Sequence, residues 1–194
     1  FNGNGYEEAW IKEATEKRGL LNLKTTPDCM PAVLQKKNVD MLTSHKVFSE
    51  AEIKSRYEIM LENYCKTVNI EGLTMVDMAR KGILPAIEAY VTDVSNAYLA
   101  KKAVDAELAC GYEKKLIKKL STLVEQIDLA ADTLEQALIR LKAVSDITEN
   151  AYAIRDEVIP KMADLRIVAD EAETLTAEKY WPFPTYSKLL FGVR

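Results

Sequence analysis

The fold class is indicated by one stretch of the chain, residues 113–144, which reads EKKLIKKLSTLVEQIDLAADTLEQALIRLKAV. Its apolar residues recur at alternating spacings of four and three, which is the heptad pattern of a coiled coil. The positions of this seam are Leu116, Leu120, Leu123, Ile127, Ala130, Leu134, Ala137, Leu141 and Val144. Alanine within the seam allows a neighbouring helix to approach closely. The pattern therefore favours an antiparallel arm of the same chain over a parallel zipper.

A second apolar repeat follows directly and predicts the partner helix of that arm. Its members are Ala151, Ile154, Val158, Met162, Leu165, Ala169 and Ala172. Two successive spacings of four occur around Val158, next to Pro160, and predict a local irregularity in this helix. The two repeats together predict a long antiparallel helical hairpin.

The residues before the hairpin predict a long helix and a central helix. Ser49 to Glu52 forms a capping box, which places a helix start there. The apolar stripe that follows consists of Ile53, Tyr57, Met60, Leu61, Tyr64 and Val68. From Ile70 to about Ala103 apolar residues cover more than one face, as expected of a central helix. Gly82 and Pro85 predict a kink near Lys81 to Gly82, and Ala103 to Tyr112 is the predicted turn into the hairpin.

The N-terminal part combines one helix with a structured connection. Tyr6 to Arg18 predicts a helix that stops at Gly19, a residue that readily adopts the left-handed conformation. Beyond it, Pro27 and Pro31 limit any helix to short pieces, such as Pro31 to Lys37 and Val39 to His45.

The C-terminal segment from Tyr180 to Tyr186 reads YWPFPTY, and its prolines predict a non-helical conformation. Its rings are the candidate packing or interface residues: Tyr180, Trp181, Phe183 and Tyr186. Packing within the chain and contact with another molecule both remain open, with packing favoured. Ser187 to Phe191 adds one short helical turn.

These patterns predict an all-α protein. We expect an elongated helical bundle with a long antiparallel helical hairpin, a kinked central helix and a non-helical aromatic C-terminal tail. Residues 1–48 form an N-terminal helix with an irregular connection, and residues 49–194 form the bundle with the hairpin and the tail.

Composition restricts the partners and the compartment. The chain has 194 residues, and 48% of them are apolar, a composition that argues against a disordered protein. Its net charge of -4 gives no electrostatic reason to expect nucleic acid or an anionic membrane as a partner. It contains no apolar run long enough for a transmembrane helix. Cys29, Cys65 and Cys110 are odd in number and widely spaced, which predicts reduced, cytoplasmic thiols. A chain that starts at Phe1 is expected to be a processed or cut piece of a longer protein.

No residue pattern predicts a catalytic, cofactor-binding or metal site. His45 is the one histidine and has no acidic neighbour at useful spacing, so a plain surface or helix-end histidine is favoured over a zinc ligand. The lysines 114, 115, 118 and 119 favour a solvated helix face over an anion site. Met60, Met75 and Met78 favour core packing over a binding groove. Acid pairs such as Asp128 with Asp132 and Glu171 with Glu173 lack the Glu-x-x-His motif of a di-iron bundle.

Five strings together resemble the C-terminal region of type III glutamine synthetases, and the resemblance covers essentially the whole chain. They are FNGNGY (1–6), RGLLNLKTT (18–26), SRYEIMLENY (55–64), LPA (84–86) and EAETLTAEKYWPFPTY (171–186). The resemblance implies a parent enzyme that makes glutamine from glutamate, ammonia and ATP with divalent metal ions, magnesium or manganese. It also implies that the metal, phosphate and nucleotide sites lie in a barrel domain encoded before Phe1, so no catalytic residue is carried over.

The resemblance implies a role in assembly for this part of the parent. Residues 1–48 are expected to join the catalytic barrel, and the partners are that barrel and neighbouring subunits of a large cytoplasmic homo-oligomer. The segment alone is expected to be inactive and to hold no cofactor. The alternative is a free-standing helical adaptor whose hairpin binds a partner helix.

Overall fold

The computed structural model describes residues 3–192, apart from the side chain of Tyr186. The prediction of an all-α protein is confirmed, because this part of the chain is helical over most of its length and contains no strand. Contacts within the chain divide it into two compact units, Phe1–Tyr64 and Cys65–Arg194. The division into residues 1–48 and 49–194 by role, with a join to a catalytic barrel, stays a prediction.

The first unit begins with α1, Glu8–Lys12, which continues as a π-helical turn, Glu13–Lys17. The predicted stop is confirmed, since Gly19 follows with a φ of 67°. The helix α2, Thr26–Val33, starts from a cap in which the Thr25 hydroxyl oxygen accepts a hydrogen bond from the Asp28 backbone N–H. The helix α3, Lys36–Ser44, is followed by His45, an exposed residue at the helix end as predicted.

The bounds predicted around Pro31 are wrong, because Pro31 lies inside α2 and starts no helix of its own. The Thr25 cap and Pro27 begin α2 earlier, and a proline in the first turn lacks only a donor that has no helical partner there. Pro31 removes one hydrogen bond from a helix that already ends at Val33. The second piece is α3, which starts at Lys36 rather than at Val39.

The capping box at Ser49 is confirmed and begins α4, Glu50–Met78. The Glu52 backbone N–H donates to the Ser49 hydroxyl oxygen at 3.3 Å, and the Ser49 backbone N–H donates to the Glu52 carboxylate at 2.8 Å. Of the predicted stripe, Ile53, Tyr57, Leu61 and Val68 are buried.

The helix α4, a π-helical turn at Ala79–Ile83, and α5 at Leu84–Val104 form one uninterrupted helical run of 55 residues. Residues 105–110 form the predicted turn, where the Asp105 carboxylate accepts a hydrogen bond from the Glu107 backbone N–H at 2.8 Å. The helix α6, Gly111–Leu141, follows. After it come α7, Ile147–Ala153, a π-helical turn at Ile154–Val158, and α8, Ile159–Leu175.

Ion pairs show that α6 is antiparallel to both of its neighbours in the second unit. Near the start of α6, Glu113 pairs with Lys101 at the end of α5, and further along α6 Asp132 pairs with Arg80, which precedes α5. On the other side, Lys119 near the start of α6 pairs with Glu171 near the end of α8. The predicted antiparallel hairpin is therefore present, with α6 and α8 as its arms, and α6 also contacts α5.

The buried seam of α6 matches the predicted heptad at most positions and departs from it at Ala130 and Val144. Ala131 is fully buried while Ala130 is only half-buried, and Val144 lies beyond the helix end at Leu141. Leu134, Ala137 and Leu141 keep their predicted positions. Because an α-helix has 3.6 residues per turn, the buried face drifts toward later residues than a strict heptad, and Ala131 and Leu138 are buried one position after Ala130 and Ala137.

Two of the π-helical turns end two residues before a proline. Ala79–Ile83 precedes Pro85, and Ile154–Val158 precedes Pro160. A proline ring collides with the carbonyl four residues earlier in an α-helix, and that carbonyl lies inside the π-helical turn in both cases. The irregularities predicted near Lys81 to Gly82 and at Pro160 therefore take the form of widened turns that keep the helix continuous.

Candidate interface at the aromatic C-terminal segment

The aromatic C-terminal segment, residues 176–191, follows α8 and contains one more helix. Residues 181–185 are non-helical as predicted, and α9 spans Tyr186–Phe191. Thr185 caps α9, since its hydroxyl oxygen accepts a hydrogen bond from the Lys188 backbone N–H. The prediction that Tyr186 is non-helical is thus wrong, because the Thr185 cap starts a helix directly after Pro184. The side chain of Tyr186 lies outside the described residues.

Tyr180 holds the segment against α5. Its ring packs against the ring of Tyr90 with the centroids 5.0 Å apart, and its hydroxyl donates a hydrogen bond to the Asp93 carboxylate. Burial, and after it a hydrogen bond with Tyr112, raises the pKa of Tyr90 above its usual value. The Tyr90 phenol therefore stays neutral at physiological pH, and Tyr180 rests on an uncharged ring.

Phe183 packs against the backbone at Gly82, inside the π-helical turn that precedes α5. A Cβ atom built on Gly82 would stand 3.0 Å from Cζ and 3.2 Å from Cε2 of Phe183, and 3.5 Å from Cγ of Pro182. The ring thus occupies the space that any side chain at position 82 would need. Because Tyr180 meets residues 90 and 93 and Phe183 meets residue 82, this part of the segment runs antiparallel to α5.

Two charged contacts support the same arrangement. The Lys188 ammonium pairs with the Glu178 carboxylate at 2.6 Å and joins the two ends of the segment. The Lys179 ammonium lies 4.5 Å from the centre of the Tyr180 ring, and interaction with the Tyr180 phenol raises the pKa of Lys179. Trp181 is half-buried.

Three apolar residues that were not predicted as interface residues are exposed in the structure. In α9, Leu189, Leu190 and Phe191 are 66%, 73% and 78% exposed. An apolar run at the end of a short helix is the signal that could have marked them. The segment therefore has two parts with different surroundings: Tyr180 and Phe183 contact their own chain, and the apolar residues of α9 face solvent.

The lysine cluster on α6 is distributed among several contacts. Lys119 pairs with Glu171 of α8 at 2.5 Å, and the Lys114 ammonium lies 5.5 Å from the centre of the Tyr98 ring. Lys115 and Lys118 are exposed. These positions agree with a solvated helix face.

The methionine prediction is wrong at two of its three positions. Met60 and Met78 are 51% and 39% exposed, and only Met75 is half-buried. They share a helical spacing with the buried residues, but each lies one position from a core residue, Leu61 or Ala79, and the helix turns it outward by about 100°.

Carboxylates in the second unit are used for ion pairs between helices. Asp132 and Glu135 of α6 bind the Arg80 guanidinium at 2.5 and 2.8 Å, which raises the pKa of Arg80. Glu113 is buried, and the Lys101 ammonium holds the pKa of Glu113 below its usual value. Within residues 3–192, no three histidine, cysteine, aspartate or glutamate side chains come together as a metal site. Nor does that part of the chain contain a helix of sufficient length and apolarity to span a bilayer.

Comparison with known proteins gives one consistent result. The family described as "Glutamine synthetase C-terminal domain" matches residues 1–102. A glutamine synthetase of Butyrivibrio fibrisolvens is 40% identical over 194 residues, which is 100% of this chain and 28% of that protein. A type-3 glutamine synthetase of Dictyostelium discoideum is 30% identical over 98% of this chain and 26% of its own length. A glutamine synthetase of Bacteroides fragilis is 28% identical over 98% of this chain and 27% of its own length.

Proposed function

Because the chain belongs to the family of glutamine synthetase C-terminal domains, we propose that it is the noncatalytic helical domain of a glutamine synthetase. In this proposal it packs against the catalytic barrel of its parent and shapes the contacts between subunits of a large homo-oligomer. The parent forms glutamine from glutamate and ammonia with ATP and divalent metal ions, in the cytoplasm.

The observation that carries the proposal is the match to the relatives. The chain aligns over all of its length with the Butyrivibrio fibrisolvens protein but spans only 28% of that protein. The other two relatives show the same relation, with 26% and 27% of their lengths covered. The chain thus corresponds to one part of a much longer polypeptide, and the proposed partner domain lies in the remainder.

In this proposal the ATP and metal ions of the parent reaction bind outside this chain. Glutamine synthesis with bound divalent ions needs oxygen ligands gathered in one place. In the described part of the chain, no three histidine, cysteine, aspartate or glutamate side chains come together, and Asp132 and Glu135 of α6 are engaged by Arg80. We therefore assign no step of the reaction to this chain.

A role in packing is supported by the two parts of the aromatic C-terminal segment. Tyr180 and Phe183 fix the segment to the helical run beneath it, so α9 starts from a held position. The three exposed apolar residues of α9 then present a surface whose burial against another domain would be favourable.

The test uses the full-length protein that contains this chain. We expect deletion of residues 49–194 to dissociate the oligomer, measured by mass photometry, and to abolish glutamine formation. A finer variant, Leu190→Ser with Phe191→Ser, is expected to shift the oligomer toward smaller species. The matched control is Leu129→Ser, which changes an equally exposed leucine on α6 and is expected to leave the oligomer unchanged.

Unchanged oligomer size and activity after the deletion would overturn the proposal and favour the free-standing adaptor. A second assay addresses the chemistry. The 194-residue chain alone is expected to form no glutamine from ATP, glutamate and ammonia with magnesium or manganese. Metal-dependent turnover by the chain alone would place catalytic residues within it and contradict the noncatalytic assignment.

A further inference from the structure

The connection between the first π-helical turn and α2 contains an exposed leucine segment, residues 20–24, which reads LLNLK. Leu20, Leu21 and Leu23 are 54%, 63% and 37% exposed. Connections between helices are ordinarily polar, and one exposed leucine would need no explanation. Three leucines within five successive residues place apolar area together on the surface of the first unit. Such area marks a site of contact with another surface.

The main chain of the leucine segment is also unpaired. No backbone N–H of residues 21–24 donates a hydrogen bond within the described part of the chain. Among the five carbonyl groups of the segment, that of Leu23 accepts a hydrogen bond from the Cys29 thiol at 3.1 Å, and the others accept none from the described residues. Backbone N–H and C=O groups need partners, so a purely apolar contact would remove water from them without replacing it. The surface that covers this segment must therefore supply donors and acceptors as well as apolar side chains, as the edge of a β-sheet does.

Both ends of the leucine segment are held by the neighbouring helices. At one end Gly19 turns the chain with a φ of 67°, and the Leu20 backbone N–H donates a hydrogen bond to the Ala14 carbonyl at 2.9 Å. At the other end Thr25 caps α2, and its carbonyl accepts a hydrogen bond from the Cys29 backbone N–H at 2.9 Å. Held ends reduce the conformational entropy that the segment would lose on docking.

Given the proposed function, on which this step rests, we propose that the leucine segment docks against the catalytic domain of the same parent polypeptide. The chain covers 26–28% of its relatives, so most of the parent lies outside it. The family is that of a C-terminal domain, which places this remainder before residue 1 in the parent. The leucine segment then lies about twenty residues from the junction. A connection this short gives an effective concentration on the order of millimolar, which favours the parent's own catalytic domain over a second copy of this chain.

The first experiment measures amide hydrogen exchange in the full-length protein by mass spectrometry of its peptides. We expect the amides of residues 21–24 to exchange about a hundredfold more slowly than those of an unpaired peptide. Leu21→Ser with Leu23→Ser should raise their exchange rates by about tenfold or more, because the exposed fractions of the two residues together equal one whole leucine. The matched control is Leu129→Ser, which changes a leucine that is 68% exposed and should leave these rates unchanged.

The second experiment identifies what covers the segment. Leu21 is replaced by the photoreactive residue p-benzoylphenylalanine in the full-length protein, and the cross-linked peptides are sequenced after illumination. We expect cross-links to residues of the same polypeptide that lie outside the 194-residue chain, so the product should migrate as a single subunit in a denaturing gel. The same probe at position 129 should give none of these cross-links.

Two results would overturn the docking. The first is rapid, unprotected exchange of the amides of residues 21–24 in the unchanged full-length protein, a measurement that does not depend on the folding of any variant. The second is a set of cross-links from position 21 that joins two subunits, which would assign the segment to a contact between copies.

Failure of the docking and failure of the assembly role can be told apart. Protected amides at residues 21–24, together with an unchanged oligomer and unchanged activity after deletion of residues 49–194, would refute the assembly role and leave the docking in place. Unprotected amides together with an oligomer that dissociates on the deletion would refute the docking and leave the assembly role in place.

Discussion

The contact between Phe183 and Gly82 allows a sharp test of how the aromatic C-terminal segment is held. We expect Gly82→Ala to lower the free energy of unfolding when the Phe183 ring is present and to raise it when the ring is absent. In the wild type the new Cβ would meet the ring at 3.0 Å, and Phe183 or the backbone must shift. In Phe183→Ala these ring atoms are gone, and the contact that remains beside them is Cγ of Pro182, at an ordinary van der Waals distance of 3.5 Å.

The magnitudes follow from two opposing effects. Replacing glycine by alanine inside a helix stabilises the folded state by about 0.5–1 kcal/mol, because the unfolded chain loses freedom. Overpacking at a filled contact costs about 1–3 kcal/mol. We therefore expect Gly82→Ala to lower the free energy of unfolding by about 1 kcal/mol in the wild type and to raise it by about 0.5–1 kcal/mol in Phe183→Ala. The coupling energy is then about 1.5–2 kcal/mol.

The assay is urea unfolding of the four proteins of this cycle, in a Trp10→Phe background. Trp181 is then the remaining tryptophan of the chain, so its fluorescence reports on the segment while circular dichroism reports on the helices. The control is Gly111→Ala, where no atom lies within 4 Å of the new Cβ. Its effect should be the same with and without Phe183. A coupling energy below about 0.5 kcal/mol between positions 82 and 183 would refute the contact.

Three further substitutions test the helices themselves. Ser49→Ala should lower the free energy of unfolding by about 1 kcal/mol at neutral pH through loss of the helix cap. Hydrogen bonds from Ser49 lower the pKa of Glu52 from 4.5. The difference in unfolding free energy between wild type and Ser49→Ala should therefore narrow as the pH falls through that lowered pKa and the Glu52 carboxylate is protonated. Ile127→Ala, at a fully buried position, should cost about 3 kcal/mol, against less than about 0.5 kcal/mol for the exposed Leu129→Ala. Arg80→Ala should cost about 0.5–1 kcal/mol, measured by urea unfolding, with the loss smaller at 1 M salt.

Each of these has a result that contradicts it. A Ser49→Ala difference that stays constant as the pH falls would mean that the Glu52 carboxylate does not interact with the Ser49 side chain in the cap. Equal effects at positions 127 and 129 would contradict the burial assigned to α6. A salt-independent Arg80→Ala effect would indicate lost packing of the side chain and not lost ion pairs.

The helical hairpin was predictable because its apolar periodicity extends over many turns. Leu116 to Ile127 fall where the heptad places them, since about three turns accumulate little drift. The displacement from Ala130 to Ala131 could not be foreseen from spacing alone, because two adjacent alanines satisfy the pattern equally well and the contacts of the neighbouring helix decide between them. Met60 shows the same limit. Met60 and Leu61 are adjacent and both apolar, so the sequence alone does not indicate which of the two faces the core.

For the candidate interface, the aromatic composition predicted that the segment packs but did not predict where. Phe183 depends on Gly82, a residue about a hundred positions earlier, whose missing side chain was interpreted only as a source of a kink. Contacts between residues so far apart arise from the antiparallel course of the segment along α5. The burial of Glu113 was likewise hidden, since a glutamate in the first turn of a helix is ordinarily exposed and only the approach of Lys101 makes its burial favourable.

The π-helical turns before Pro85 and Pro160 bear on how this chain compares with its relatives. A π-helical turn holds one residue more than the α-helical turn it replaces, so it corresponds to a single-residue insertion that the helix has absorbed without breaking. Removal of that residue would restore regular winding where no proline follows. We therefore expect single-residue gaps in alignments of this family to fall within residues 79–83 and 154–158. Relatives that lack the proline corresponding to Pro85 or Pro160 should be the ones that lack the extra residue.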